Sequence, residues 1–354
     1  MSRSRIPKWR QLLTMRIVSG QIGVGDAMDK KIFTVIANKA QIRHQEWLSI
    51  RKGYIGGSDA AGCVGLSPWS SPFSVWLSKS KKGDDAEDDG KHALKMWYGN
   101  AAEEIVAKRF VMETGKKVRR NNAMMVSTKY PWMLADIDRE LVDEDAILEI
   151  KTTSAWNRDQ WADGMIPIHY EIQCHHYMAV TGAKKCYIAV MLGAGDGFEI
   201  REIARDEDTI HALVEEEKKF WRLVETGEMP NPDGTSACSE AINKLFPGRA
   251  DGGGDPVLLD EKAFDTGMYF YLKDKRDALS QEIEAMEQDV KIAMQNSEKA
   301  IVGDSAHITW RLLQSKRLDS RRLKKEMPEI FERYAKVSEY RRFSVTRTEE
   351  KEEE

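Results

Sequence analysis

Cysteine is scarce in this chain: 4 of 354 residues, at positions 63, 174, 186 and 238, with no C-x-x-C pair. So few and so scattered, they exclude a disulfide scaffold and fit free thiols in a reducing cytoplasm. Proline is sparse as well, 10 residues beside 25 glycines, which excludes collagen-like and proline-rich disordered chains. No uncharged run approaches the ~18 apolar residues of a membrane span. Charge of one sign is also missing, since 54 Lys and Arg face 58 Asp and Glu for a net −4. That balance excludes a histone-like polycation but not a nucleic-acid enzyme with a local basic field. What the chain does have is a 41% apolar share, enough to bury a core, and a length that suggests about two or three domains.

Met1 to Arg10 is basic and acid-free, as in an organelle transit peptide. No small-residue cleavage site follows an apolar core, so a solvated basic arm over residues 1–40 is the better reading. Gly and Pro crowd residues 229–256, which reads as a linker over 231–256 that sustains neither helix nor strand. It separates a core over residues 41–230 from an accessory module over 257–348 and an acidic tail over 349–354. A charged stretch, Lys79 to Gly90, reads as a loop.

Inside the core, the spacing predicts a helix from about Tyr98 to Thr114 that stops at Gly115. Strands follow over about Trp132–Val142 and Ile147–Thr152, joined as a hairpin by Asp143-Glu144-Asp145. A helix over Tyr170–Thr181, strands near Cys186–Leu192 and Phe198–Ile203, and a helix near Thr209–Thr226 complete the order. This is an α/β or α+β chain, a mixed sheet flanked by helices. Beyond the linker, Leu258–Gln295 has helical periodicity, and strands are expected near His307–Leu312 and Arg342–Thr346.

Chemistry concentrates in Asp138-x10-Glu149-Ile150-Lys151. Side chains alternate along a strand, so Glu149 and Lys151 share one face while Ile150 points the other way, into the core. The hairpin brings Asp138 roughly opposite Lys151. Two carboxylates this close repel unless a cation lies between them, and their oxygens suit Mg²⁺ or Mn²⁺. A lysine beside such a metal can orient or deprotonate an attacking water. From this pattern alone, which is a common one, a surface hairpin with a cross-strand ion pair is the better reading.

Two helices favour the first reading. Glu103 shares a stripe with Val106, Ala107 and Phe110, whereas Glu104 aligns with Lys108 at i+4. Glu103 therefore projects toward the core, where an unpaired carboxylate costs several kcal/mol. Tyr170, Gln173 and Tyr177 lie on one side of the later helix, beside Ile172, His176 and Ala179. The tyrosines suit ordinary core packing as well.

Gly56-Gly57-Ser58-Asp59, Gly65-x-Ser67-Pro68-Trp69, Gly99-Asn100-x-x-Glu103, Asp138…Glu149-Ile150-Lys151 and Tyr170-x-x-Gln173 occur in one order. In this the chain resembles the YqaJ-type phage recombinase nucleases, relatives of lambda exonuclease in the PD-(D/E)XK superfamily, over about Trp47 to Arg205. Less specifically, Trp310 and Arg341-Arg342-Phe343 resemble the appended module of longer members. The resemblance implies a restriction-endonuclease-like core. It also implies a metal-dependent exonuclease that resects linear double-stranded DNA, 5′ to 3′, for an annealing protein. Asp138, Glu149 and the backbone carbonyl of Ile150 would hold the metal, two ions of Mg²⁺ or Mn²⁺, with Glu103 completing the acidic group. Lys151 would serve the attacking water, and Gln173, with Tyr170 nearby, would orient Lys151 or the phosphate. Arg51 and Ser58 match positions that hold a 5′-terminal phosphate, and Tyr170 would also face DNA. A homotrimeric ring is implied too. Ile137 replaces the motif's proline without chemical loss. Asp136 replaces a phosphate-contacting serine, and a carboxylate there would repel a 5′-phosphate unless it points away or leans toward a metal.

The alternatives are a non-catalytic DNA-end-binding recombination scaffold that retains the fold, or an endonuclease of the same superfamily with the same chemistry. An iron–sulfur cluster is disfavoured, because Cys174 falls on the helix and Cys186 in a strand. His175 and His176 diverge by ~100° on a helix and cannot face one ion. Residues 316–347 hold eleven Lys and Arg against five Asp and Glu, with Phe331, Tyr334, Tyr340 and Phe343 interleaved. That run suits a DNA backbone, a protein partner, or simply a solvated helical surface.

Overall fold

The computed structural model describes residues 32–80, 93–193, 195, 197–248, 255–337 and 340–347. The chain divides after Pro247 into two units. The first begins with β1 (Phe33–Asn38), a 3-10 turn (Lys39–Gln41), α1 (His44–Lys52), β2 (Ile55–Gly56), α2 (Gly57–Cys63) and α3 (Pro72–Lys79). After α4 (Ala93–Thr114) come β3 (Val118–Arg120), β4 (Ala123–Ser127), β5 (Met133–Ala135), β6 (Arg139–Leu141) and β7 (Ala146–Thr153). A 3-10 segment (Ala155–Gly164), α5 (Ile168–Thr181), β8 (Lys185–Leu192), β9 (Gly197–Ala204), α6 (Glu207–Thr226) and α7 (Ser236–Leu245) close the unit.

Residues 146–150 of β7 are all buried, the mark of a strand covered on both faces. Ala146, Leu148 and Ile150 pack with Val106, Ala107 and Phe110 of α4. Ile147 faces the opposite layer, where Cys174 and Met178 of α5 pack with Ile188 and Val190. The sheet order is β3-β6-β7-β8-β9. Within this sheet only β7 and β8 pair in parallel, because α5 carries the chain across between them. The mixed, helix-flanked sheet expected from the element order is therefore what the chain builds. A second sheet, ordered β1-β4-β5-β2, packs Met124, Val126 and Leu134 against Trp47, Ile50 and Tyr54. Gly115 (φ 70°) ends α4 and Gly182 (φ 78°) ends α5, a left-handed backbone where any Cβ is strained.

Several expectations are corrected. Trp132–Val142 is not one strand: β5 and β6 belong to different sheets, and Asp136 to Asp138 cross between them. The hairpin register pairs Arg139 with Leu148, so Asp138 falls across from Glu149, not Lys151. The span expected as a linker contains α7, capped by Thr235, whose Cys238 and Ala241 are buried with Phe73 and Trp76 of α3. A threonine cap and two inward small residues suffice for ten helical residues between the Gly/Pro clusters. Residues 33–38 of the expected arm form β1, paired to β4. The rest of that arm up to residue 31, the loop from 81 to 90 and the acidic tail lie outside the described residues, whereas Lys79 closes α3.

The second unit contains α8 (Thr266–Met294), the hairpin β10 (Lys299–Val302) and β11 (Ala306–Thr309), α9 (Ser320–Glu326) and α10 (Pro328–Tyr334). Its long helix starts at Thr266, not Leu258, because the Asp265 carboxylate accepts the Met268 N–H at 2.8 Å and caps it there. Arg342–Thr346, expected as a strand, carries no regular structure, and of the basic run Arg321, Arg322, Lys324 and Lys325 fall on α9 and Arg333 on α10.

Two predictions concern stability. Phe110 has no exposed surface and its ring lies 5.6 Å from that of Tyr187, so Phe110→Ala should cost about 3–5 kcal/mol in denaturant unfolding. The β6–β7 turn is tied by Glu144, which receives Lys116 Nζ at 2.8 Å, Lys185 Nζ at 2.9 Å and the Tyr187 hydroxyl at 3.0 Å. The Lys116 and Lys185 hydrogen bonds hold its carboxyl down to about 2, against 4.5 unperturbed. A depressed folded-state pKa gives stability that is complete above pH 4.5 and lost as pH falls toward 2. Glu144→Gln should flatten the pH dependence of unfolding between those limits and leave the slope above pH 5 unchanged.

Candidate active site

The β7 pleat places Glu149 and Lys151 together on the α5 side, and α5 contributes Gln173 from above. Glu149 Oε1 accepts Lys151 Nζ at 2.6 Å and Gln173 Nε2 at 2.6 Å. Its other oxygen, Oε2, is buried without a hydrogen-bond partner. Burial raises the Glu149 pKa, and the neighbouring Lys151 ammonium only partly opposes this. Burial alone would lower the Lys151 pKa, but the Glu149 and Asp138 charges outweigh it and keep the amine protonated.

Asp138 meets Glu149 across the hairpin. Its Oδ2 accepts the Ile150 N–H at 2.8 Å, which pins the carboxylate beside β7. Burial first, then the Glu149 charge, with Glu103 adding to them, push its pKa well up despite Lys151. Carboxylates here outnumber the cations close enough to neutralise them. A buried oxygen without a partner and a carboxyl whose ionisation is opposed by two others are what a hard cation would relieve.

Glu103 reaches this neighbourhood, but not as an unpaired core carboxylate. It ion-pairs with the buried Arg139, which also bonds Glu104 at 3.1 Å and the Asp138 carbonyl at 2.8 Å. Glu104 therefore faces Arg139 and not Lys108. Both acids of the helix meet one arginine that β6 buries, a partner no helical spacing reveals. Among the described residues, no group of three or more His, Cys, Asp or Glu stands in metal-holding geometry. Cations fill the gaps: Arg139 on Glu103 and Lys151 on Glu149.

Gln173 orients Glu149, not Lys151, and also donates to the Tyr177 hydroxyl at 3.2 Å. Lys151 Nζ lies 5.2 Å from the Tyr170 ring, so Tyr170 belongs to the site. Tyr177 in turn donates to the Asp136 carbonyl at 3.3 Å and lies against Gly57. A Cβ on Gly57 would stand 2.4 Å from that ring, which explains the second glycine of the Gly-Gly-Ser-Asp run. Next to it, Arg51 Nη2 donates to Ser58 Oγ at 2.5 Å, lies 3.7 Å from Asp59 and stacks 4.7 Å above the Trp47 ring. Arg51 and Ser58 thus lie side by side.

Asp136 is neither exposed to a phosphate nor turned away. Trp47 Nε1 donates to its Oδ2 at 2.8 Å, and Lys39 forms an ion pair with it. Lys39, Trp47 and Arg139 are site residues that the sequence reading missed. Trp47 lies one helical turn before Arg51, a usable signal, whereas Lys39 arrives only through the pairing of β1 with β4. His176 is a buried structural residue, 2.8 Å from Glu217 and 3.1 Å from the Leu134 carbonyl. All four cysteines are buried and free, and Cys63 and Cys238 lie in a different core cluster from Cys174 and Cys186.

Comparison with known proteins bears on this arrangement. An alkaline exonuclease from Laribacter hongkongensis superposes on 52% of this chain and 94% of its own, with 20% identity and a TM-score of 0.44. A phage-related exonuclease from Haemophilus somnus 129PT covers 51% of this chain and 99% of its own, with 14% identity and a TM-score of 0.35. The family model of the YqaJ-like viral recombinase domain matches residues 46–184, the span that holds every site residue above except Lys39. The YqaJ protein of Bacillus subtilis (strain 168) is 34% identical over 329 residues, covering 90% of this chain and 99% of the relative. On that match the chain belongs to the YqaJ family.

Proposed function

We propose that this protein is a divalent-metal-dependent deoxyribonuclease that resects linear double-stranded DNA 5′ to 3′, exposing a strand for annealing in phage-type recombination. One observation carries the reading: the buried, unpartnered Glu149 Oε2 beside Asp138, with the Lys151 ammonium 2.6 Å from the same carboxylate. An ordinary surface ion pair would expose both partners. Here Glu149 is buried and held by a buried amide, an arrangement that costs stability and suits a site built for charge.

Asp138, Glu149, the Ile150 carbonyl and Glu103 would hold Mg²⁺ or Mn²⁺, two ions in the reading we favour. The bound metal would stabilise charge on the scissile phosphate and make its water acidic. Lys151 keeps its proton at neutral pH, so its part is to orient water or a phosphate oxygen as a donor. Gln173 fixes the Glu149 carboxylate, and Tyr170 walls the ammonium from one side. Arg51 and Ser58 offer a forked cation and a hydroxyl to a 5′-phosphate. Asp136, neutralised by Lys39, no longer opposes that charge. The family's ring-shaped homotrimer and an annealing partner belong to the same proposal. In the described residues no helix is long and apolar enough to cross a membrane.

With Mg²⁺, the purified protein should digest linear duplex and spare closed circular DNA, EDTA should stop digestion, and Lys151→Ala should lower kcat about 10²-fold or more. If wild type and Lys151→Ala both bind duplex ends and leave them intact, the protein is an end-binding scaffold instead. Cutting of closed circles would make it an endonuclease. Arg51→Ala should reduce the preference for 5′-phosphorylated over 5′-hydroxyl ends in paired digestion rates, and equal wild-type rates on both would remove that role.

A further inference from the structure

We propose that Trp69 and His169 form a stacking subsite for an unpaired nucleobase, one ring beyond the Lys151–Tyr170 contact. The proposal rests on the nuclease reading and extends it from the phosphate to the base.

Rings run in series from the site to the surface. Tyr170, 5.2 Å from Lys151 Nζ, has its centroid 4.0 Å from that of His169. His169 meets Trp69 at 4.6 Å and 79°, while Trp161 stacks on Tyr170 at 5.8 Å and supports it from within. The series ends in an indole that is 66% exposed, in a protein that leaves Trp76 0% and Trp161 2% exposed. Other indoles are exposed, Trp97 and Trp156 among them, but Trp69 is the one in ring contact with this series.

Local structure holds Trp69 outward. Ser67 Oγ accepts the Trp69 N–H at 3.2 Å and the Ser70 N–H at 3.1 Å, and the Leu66 N–H bonds the Ala61 carbonyl at 2.8 Å. The turn after α2 is therefore built, and a built turn that presents a large aromatic to solvent is a surface prepared for a partner.

The chemistry of the rings selects the partner. His169 Nε2 is buried and has no hydrogen-bond partner. Burial, then the Lys151 charge, lower the His169 pKa to about 4, so the ring is neutral at pH 7. A neutral imidazole set edge-on behind an open indole face gives an uncharged aromatic platform, which a flat base covers face to face. An aliphatic side chain would cover less of that face and gain no ring stacking. Every base has a π-face, so such a platform is tolerant of sequence, as a resecting enzyme requires.

The test measures binding without cleavage: a fluorescein-labelled oligothymidylate of about twelve nucleotides, titrated in EDTA and followed by anisotropy. Trp69→Ala should weaken binding about ten-fold, and Trp69→Phe should restore most of it, since the stacking face returns. The salt slope should not change, because no phosphate contact is lost. On an oligonucleotide of abasic sites, wild type and Trp69→Ala should bind alike. Equal affinities of wild type and Trp69→Ala for oligothymidylate overturn the proposal, and so does a ten-fold loss that persists on abasic ligand. Digestion of linear duplex by the wild type, measured separately with Mg²⁺, reports on the nuclease reading alone. A chain that binds bases through Trp69 but never cuts keeps the subsite and loses the nuclease.

Discussion

A carboxylate kept in the interior by an ammonium two residues further along the same strand is the constraint on which the site depends. The β pleat makes Glu149 and Lys151 neighbours, and burial makes each need the other. Gln173 completes the arrangement from α5, and this requires the helix to cross β7 and β8 at one height and rotation. The same helix face then carries Tyr177 to Asp136 and Gly57, so the strand-to-strand crossing and the glycine-rich turn before α2 are set together.

Around that pair the charges are partitioned among elements. Lys39 answers Asp136, Arg139 answers Glu103, Lys79 and Arg51 share Asp59, and Lys151 answers Glu149. Asp138 has no cation to itself, only a backbone N–H and a share of Lys151. The imbalance is local and negative, in a chain whose overall charge is nearly even. A site of this kind favours a multivalent cation and, once it is bound, an anionic substrate, which supports the proposed chemistry better than an inert hairpin does.

Much of this was legible in the sequence where the cause is local. Gly115 and Gly182 end their helices because left-handed backbone admits glycine most easily, and the strand read over Ile147–Thr152 lies within β7. The shared face of Glu149 and Lys151 follows from a period of two, and the inward amide of Gln173 from a period of 3.6. Errors began where the partner lies far along the chain. Glu103 was expected to lack a counter-ion, but Arg139, 36 residues away, supplies one. The strand through Asp136 to Asp138 was expected to be continuous, but two sheets claim its ends. The hairpin register was displaced by two residues, because turn length alone does not say which residues pair.

By itself, the sequence determined the chemistry-bearing residue types, their order, the glycines that stop helices at 115 and 182 and the face that Glu149 shares with Lys151, since all of these rest on covalent geometry and short-range periodicity. Tertiary structure alone decided which cation neutralises which carboxylate, that Asp136 is held by Lys39 and Trp47, and that Trp69 stands outward at the end of a series of rings. The reason is physical: electrostatic and ring contacts act over a few ångströms of space, and only the folded sheet pairing brings residues tens of positions apart within that range.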